Sequence, residues 1–476
     1  MTKRWPIAKL RGLTRKIGSG ATPRGGDEVY KTSGVPLIRS MNVHFAGFKE
    51  EGLVYLDDQE AKKLDHVKVE ANDVLLNITG ASIGRVTTTP ESMAGARVNQ
   101  HVCIIRPNPE LCPRFLAQFL ASPDQQRKVM NVQVGVTRQA LTKAMVLDWE
   151  IPLPPLDEQR QLVAEIEKQF SRLDEAAANL KRVNANLKRY KAAVLKAAVE
   201  GKLTEEWRKA HPDIEPASEL LKRILAERRA KWKEKGKYKE PAAPVTTSLP
   251  LLPEGWTWAT VDQLTADALI GMDRGRAQQS ESPLGVPYIK MNNVTMDGRL
   301  VLEGLVYVAA SADERNRYAI KCGDLLFNTR NSKELVGKVA LVRNIPPNAI
   351  YNNNLVRIRV RAEVLPEFVC FQMCADGFRR RMELIKRATT NVAAVYGKDL
   401  FPLPIALPPL VEQHRIVAEA EQRLSVIGKL EAAVASNFQR ADRLRQSVLR
   451  EAFSGTLKLE MGTGWFFNQS QPRHLL

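Results

Sequence analysis

Two sets of polar side chains, one in each half of the chain, are of the types that read base edges in DNA. Arg39, Asn42, Asn77, Arg85, Gln100, Arg138 and Gln139 form the first set, and Lys290, Asn293, Asn328, Arg330, Lys338 and Asn353 the second. In the major groove Arg and Lys match the acceptors of guanine, while Asn and Gln match the donor and acceptor of adenine. Asn42 with Asn293, and Asn77 with Asn328, recur at matching places in the two halves. Residues kept in both halves serve what the halves share, so these pairs also read as turn asparagines that hold loops. Arg138, Gln139 and Arg330 have no like partner in the other half and are the stronger candidates for base contact.

A partner rich in negative charge also follows from composition. The 476 residues carry 71 Lys plus Arg against 53 Asp plus Glu, a formal net charge of +18, which points to nucleic acid. Hydrophobic residues at 44% and charged residues at 26% place the chain in the globular class. The longest apolar candidate, Phe401 to Val411, is broken by Pro402, Pro404, Pro408 and Pro409, far short of the roughly 18 apolar residues of a membrane helix. Met1 to Lys16 lacks the apolar core of a secretory signal, so the cytoplasm is the expected compartment. The five cysteines contain no C-x-x-C pair, and Cys370 with Cys374 lacks the further ligands of a zinc site, so no metal is expected.

Catalytic signatures are missing too. Every Pro-Pro pair stands in LPPL or IPPN, which leaves out the Asn/Asp-Pro-Pro-aromatic tetrapeptide of amino-methyltransferases. Neither a G-x-x-x-x-G-K-[ST] phosphate loop nor an H-E-x-x-H zinc motif occurs. Pro212-Asp213 has no nearby, strand-borne Glu-x-Lys to complete a nuclease centre. The expectation is a protein that recognises rather than reacts; a stand-alone DNA-binding regulator or architectural protein is the alternative.

The elements that must position these side chains come in duplicate. Gly34 to Val43 (GVPLIRSMNV) returns as Gly285 to Val294 (GVPYIKMNNV), Asp73 to Asn77 (DVLLN) as Asp324 to Asn328 (DLLFN), and Leu153 to Glu165 (LPPLDEQRQLVAE) as Leu407 to Glu419 (LPPLVEQHRIVAE). Such ordered self-similarity marks a tandem duplication. In each copy, Trp5 to Arg106 and Trp256 to Val360 alternate short apolar stretches with turn residues, which predicts short strands; Arg114 to Met130 and Pro366 to Ile385 have helical spacing. Proline-rich hinges at Pro152 to Pro155 and Pro404 to Pro409 are then expected to stop all regular structure.

A long helix should follow each hinge. From Asp157 to Val199 there is no Pro or Gly, and Ile166, Leu173, Leu180, Leu187 and Val194 fall seven apart, with Leu162, Ala176, Val183, Tyr190 and Ala197 between them and Gln169 as the exception. Ile427, Leu430, Val434, Ala441, Leu444 and Val448 repeat the pattern, with Asn437 at one core position. The expected fold class is α+β: two tandem recognition domains of mixed α/β structure, each followed by a long helix, the helices pairing as an antiparallel coiled coil with pseudo-two-fold symmetry. The expected division is a first recognition domain at 1–150, its helix at 151–204, a basic linker with a helix (Glu219 to Lys233) at 205–253, a second recognition domain at 254–404, its helix at 405–460 and a tail at 461–476. A helix of about 43 residues rises roughly 65 Å, against about 34 Å for one turn of B-DNA. The expected target is therefore two different segments split by a spacer that the rod length sets.

Taken together, the repeated LPPL-x-EQ blocks (Leu153 to Gln159, Leu407 to Gln413), the helix ends Glu200-Gly201-Lys202-Leu203 and Ser454-Gly455-Thr456-Leu457, and the Leu252 to Trp256 entry resemble the specificity subunit of Type I restriction-modification systems. The resemblance covers nearly the whole chain. It implies two target-recognition domains and a conserved antiparallel helix pair. It also implies double-stranded DNA as ligand and two methylation subunits that bring S-adenosylmethionine and methylate adenine. Restriction subunits that use ATP and magnesium, translocate DNA and cut it complete the implied complex, with no cofactor on this chain. The outward helix faces, with Arg160, Lys168, Arg172, Arg182 and Lys188 on the first and Arg415, Arg423, Arg440 and Arg443 on the second, then either dock the methylation subunits or stay solvated.

Overall fold

The computed structural model describes residues 5–23, 26–131, 140–232, 238–389 and 392–457. They fall into two compact units, Met1–Arg182 with Val434–Leu476, and Val183–Ala433.

The first unit is built on a four-stranded antiparallel sheet in the order Thr14–Ser19, Val102–Pro107, Val74–Asn77, Val86–Thr88. Strand side chains alternate between faces, so central strands apolar at almost every position must be covered on both sides. Val74, Leu76, Cys103 and Ile105 accordingly join a cluster with Phe115, Leu116 and Phe119 of the helix Pro113–Ala121. Leu75, Val102 and Ile104 join the opposite cluster with Leu37, Ile38 and Val98. That second layer is a three-stranded sheet in which Val35–Ile38 pairs antiparallel with Val54–Leu56 and parallel with Arg97–Val98.

In the second unit the plan is the same. Its main sheet runs Thr265–Ile270, Leu355–Val360, Leu325–Asn328, Val339–Leu341, and Val286–Ile289 again pairs antiparallel with Val306–Val308 and parallel with Ile350–Tyr351. One ion pair to a buried aspartate is also repeated. Asp73 receives Arg106 Nε at 2.7 Å, and Asp324 receives Arg359 Nε at 2.7 Å, so the aspartate of each D-[VL]-L-[LF]-N block is a fold residue. The second unit also contains a three-stranded ribbon of Arg330–Asn331, Ala393–Ala394 and Arg387–Ala388.

Two sequence expectations need correction. Regular structure does not stop at the proline-rich hinges, because Glu150–Pro152 pairs with Ile7–Lys9 and Pro404–Leu407 with Thr257–Thr260. Both ladders have only two strands, and the prolines stand at strand ends, where a missing N–H is tolerated. The expected helix at 114–130 is two helices, Pro113–Ala121 and Pro123–Asn131, since Pro123 forces Ser122 out of the helical region. Its counterpart also breaks, at Ala375, which is extended between Pro366–Cys374 and Asp376–Ile385.

The long helices are Leu156–Val199 and Leu410–Phe453, each of 44 residues. A buried glutamine fixes the start of each. Gln159 accepts from Cys112 N at 2.8 Å and donates to Pro154 O, while Gln413 accepts from Leu365 N at 2.9 Å and donates to Pro408 O. Within the first unit Ile166 packs with Val448, Leu449 and Ala452, and Asp174 further along pairs with Arg445. Rising numbers on one helix meet falling numbers on the other, so the pair is antiparallel. In the second unit the sense is the same: Thr204 Oγ1 donates to Glu412, whereas Lys191 and Leu195 share a cavity wall with Leu424 and Gly428. Along the expected seam Leu162, Ile166, Leu187, Val194, Ile427, Val434 and Val448 are buried, but Val183, Tyr190, Leu430 and Leu444 remain exposed.

The basic segment before the second sheet contains the helix Ala217–Ala230, which buries Ala217, Leu220 and Ile224 and ties Arg228 to Asp262. It is docked on the second unit rather than free.

Candidate nucleic-acid interface

Three strand ends meet at one edge of each unit, and the candidates among the described residues lie there. In the first unit Asn99 N donates to Ile38 O, Ile78 N donates to His101 O, and Asn77 Nδ2 donates to Ser40 O at 2.9 Å. Thus the turns after Ile38 and Asn77 and the turn before Val102 lie side by side. In the second unit Asn352 N donates to Ile289 O, Thr329 N to Asn354 O, and Lys338 Nζ to Met291 O at 2.7 Å, which brings the equivalent turns together.

Five candidates spend their side-chain donors on holding that edge. Asn42 Oδ1 accepts from Arg39 N and its Nδ2 donates to Lys49 O, both at 2.9 Å; Asn293 repeats this with Lys290 N and Val301 O. Asn77 and Asn328 are wholly buried, and Asn328 Nδ2 donates to Arg330 O and Asn354 O. Lys338 is buried as well, and desolvation lowers its pKa below the ordinary lysine value. A side chain whose donors are consumed inside the fold has none to offer a base. Sequence alone could not separate Lys338 from a surface lysine, because its acceptor is a carbonyl 47 residues away.

Arg39 and Lys290 are partly engaged. Arg39 Nη2 donates to Gly52 O at 2.6 Å and its guanidinium lies 5.4 Å from the Tyr30 ring, while Lys290 Nζ reaches Gln279 Oε1 at 2.8 Å. Gln100 is exposed and belongs to a polar chain: Thr22 Oγ1 donates to its Oε1, its Nε2 lies 3.3 Å from His101 Nε2, and His101 Nδ1 meets Thr79 Oγ1 at 2.5 Å. Thr22, Thr79 and His101 were not singled out from sequence, although the Asn99-Gln100-His101 block recurs as Asn352-Asn353-Asn354 and signals the turn. Arg85, Arg330 and Asn353 have side chains with no bonding partner among the described residues. Arg330 and Asn353 line one cavity. Arg138 and Gln139 lie outside the described residues; the matching position to Gln139, Ala393, is buried in the second unit's ribbon.

Each edge therefore presents a different set of hydrogen-bonding side chains on a common frame. Near these turns Lys31, Lys49, Lys333 and Arg387 add exposed positive charge. Among the described residues no group of His, Cys, Asp and Glu is placed to hold a metal ion, and no helix is long and apolar enough to cross a membrane.

Residues 4–189 match the model of the Type I restriction modification DNA specificity domain. The chain is 26% identical over 467 residues, covering 95% of it and 89% of the relative, to the Type I restriction enzyme EcoKI specificity subunit of Escherichia coli strain K12. To the EcoBI specificity subunit of Escherichia coli it is 28% identical over 440 residues, covering 90% and 81% of the two chains. Among solved structures, a chain from a study of complex assembly and conformational transition of the type I R-M system superposes with a TM-score of 0.62 at 20% identity, covering 96% of this chain and all of that one. The HsdS subunit from Thermoanaerobacter tengcongensis does so with a TM-score of 0.50 at 20% identity, covering 95% and 97%. At those identities the structural likeness is one of fold.

Proposed function

We infer that this chain, a non-catalytic specificity subunit of the Type I restriction-modification class, recognises an asymmetric DNA site in two pieces, one piece for each unit. The observation that carries this reading is the pair of matching edges. Both units gather the same three turns, yet Arg85 and Gln100 stand at one edge and Arg330 and Asn353 at the other. A common frame with different donors suits two half-sites of different sequence. Arg138 and Gln139 belong to the same reading set on sequence grounds. The fully engaged asparagines and Lys338 maintain the frame.

The spacer between the two pieces is attributed to the 44-residue helices that contribute to both units. Their exposed apolar side chains, Val183, Tyr190, Val411, Val426, Leu430 and Leu444, offer contact area to docked partners. Two methylation subunits carrying S-adenosylmethionine are the proposed occupants. Restriction subunits using ATP and magnesium would join that core, and the whole would act in the cytoplasm.

DNA binding by the purified chain across a salt range tests the reading. Six to ten phosphate contacts would lower affinity by about 10³ to 10⁵ between 50 and 200 mM salt. Affinity insensitive to salt would contradict it. The regulator alternative predicts tight specific binding without any partner, whereas this reading predicts that the methylation subunits sharpen it.

A further inference from the structure

The second unit contains a cavity of about 370 Å³ beside its reading edge. Ala268, Ile270, Val356 and Ala394 make an aliphatic floor, and Arg330, Asn353 and Tyr396 stand around it. Among the described residues nothing bonds to the Arg330 guanidinium, the Asn353 amide or the Tyr396 hydroxyl. The neighbouring amides behave differently, since Asn293, Asn328 and Asn331 all donate within the unit. The Tyr396 ring is itself held, with the Arg387 guanidinium 5.5 Å from its centre and Arg387 paired to Asp399.

An apolar concavity with a few convergent polar groups is the usual form of a small-ligand site, and this volume lies in the usual range of roughly 300–1,000 Å³. A phosphate would use Arg330 and leave the floor dry and unmatched. A purely aliphatic group would leave the amide and hydroxyl without partners. A flat heteroaromatic ring with a polar edge satisfies all of them, its face against Tyr396 and Ile270 and its edge against Arg330 and Asn353. Within a duplex the bases are stacked and offer only their groove edges, which reach protruding side chains and not the inside of a cavity. The ring must therefore be unstacked.

We propose that this cavity binds one unstacked nucleobase of the DNA segment read by the second unit. The proposal rests on the assignment of that unit as a DNA reader. It applies to one half-site alone. The first unit has Thr79, Gln100 and Thr142 at the matching positions, and each is bonded inside the unit, to His101, Thr22 and Met145 N respectively.

The test uses the full chain with its methylation subunit on the selected target duplex. A fluorescent base, 2-aminopurine or pyrrolocytosine, is placed in turn at every position except the methylated adenines. The expected result is a several-fold rise in fluorescence at one position in the second unit's segment and none in the first unit's. Arg330→Ala with Asn353→Ala abolishes the rise, Tyr396→Phe reduces it, and a mismatch at that position tightens binding about tenfold because the base is already loosened. Unchanged fluorescence at every position, with specific binding intact, overturns the proposal and leaves the DNA-reading assignment standing. Absence of any sequence-specific binding overturns both. Guanosine or adenosine monophosphate provides the remaining arm: saturable protection of the unit against thermal unfolding by the free nucleotide, with no unstacking in DNA, would assign the cavity to a free nucleotide and overturn the DNA source.

Discussion

Replacing Glu412 with alanine should destabilise the second unit by about 3 kcal/mol, and the reason lies in three motifs that meet at its carboxylate. Glu412 is buried, and it accepts from Trp256 Nε1 at 2.8 Å, Thr204 Oγ1 at 2.7 Å and Arg208 Nη2 at 2.8 Å. Those donors come from the Leu252 to Trp256 entry, the turn Lys202–Thr204 that follows the first long helix, and the short helix Glu205–Lys209. Alanine leaves the Arg208 charge, with its side chain only 18% exposed, without a counter-ion. Breaking one side of a buried ion pair costs about 3–5 kcal/mol. Arg208 keeps its bond to Gly201 O at 2.5 Å and its place 5.7 Å from the Trp256 ring, which puts the cost at the lower end. Glu412→Gln retains an acceptor for Trp256 and should cost about 1–2 kcal/mol. Urea unfolding followed by tryptophan fluorescence reads this directly, because Trp256 reports on the node. With a slope of about 2 kcal/mol per molar urea, the second unit's midpoint should fall by roughly 1.5 M for the alanine variant. A fall under about 0.3 M would refute the reasoning and make the node incidental to stability.

Further outcomes follow from other residues. Burial pushes the Asp297 carboxyl up, but bonds from Lys191 and Thr295 and the charges of Lys191 and Arg299 outweigh it and hold its pKa at about 2. A folded pKa below the ordinary 3.8 contributes stability that is complete above about pH 4 and is lost as pH falls toward 2, about 2 kcal/mol in all, so Asp297→Asn should remove that acid limb in paired melts at pH 6 and pH 3. Phe453 meets Phe115 and Phe119 edge-on at 5.3 and 5.4 Å, and Phe453→Ala should cost the first unit about 3 kcal/mol, measured by denaturation. Arg330→Ala and Gln100→Ala should each weaken specific binding about tenfold to hundredfold while relaxing different half-sites, as scored against single-base variants of the target. Asn328→Ala should instead lower the melting temperature and leave base preference unchanged.

Periodicity and repetition made much of the architecture legible. The first long helix, expected from Asp157 to Val199, begins at Leu156, because a stretch free of Pro and Gly with a heptad pattern has one regular solution. The duplicated blocks likewise foretold the shared strand order, since Asp73 and Asp324 take the same arginine position across the sheet. What sequence left hidden was the destination of polar side chains. Asn77 and Gln100 look alike as candidates, yet one is buried under a turn from Ser40 and the other is exposed, and only the long-range pairing of strands decides which. Trp256 and Glu412 lie 156 positions apart and carry no periodic signal that would join them. The seam was legible in outline only: Val183, Tyr190, Leu430 and Leu444 fit its spacing but stay exposed, because a seven-residue repeat does not say what else covers each turn.

Selection from a random-sequence duplex pool, by the full chain together with its methylation subunit, tests the central claim most directly. The account predicts one asymmetric site in two segments of different sequence, separated by a gap of fixed length in which no base is preferred. A short continuous site, or two segments whose separation varies freely, would contradict it.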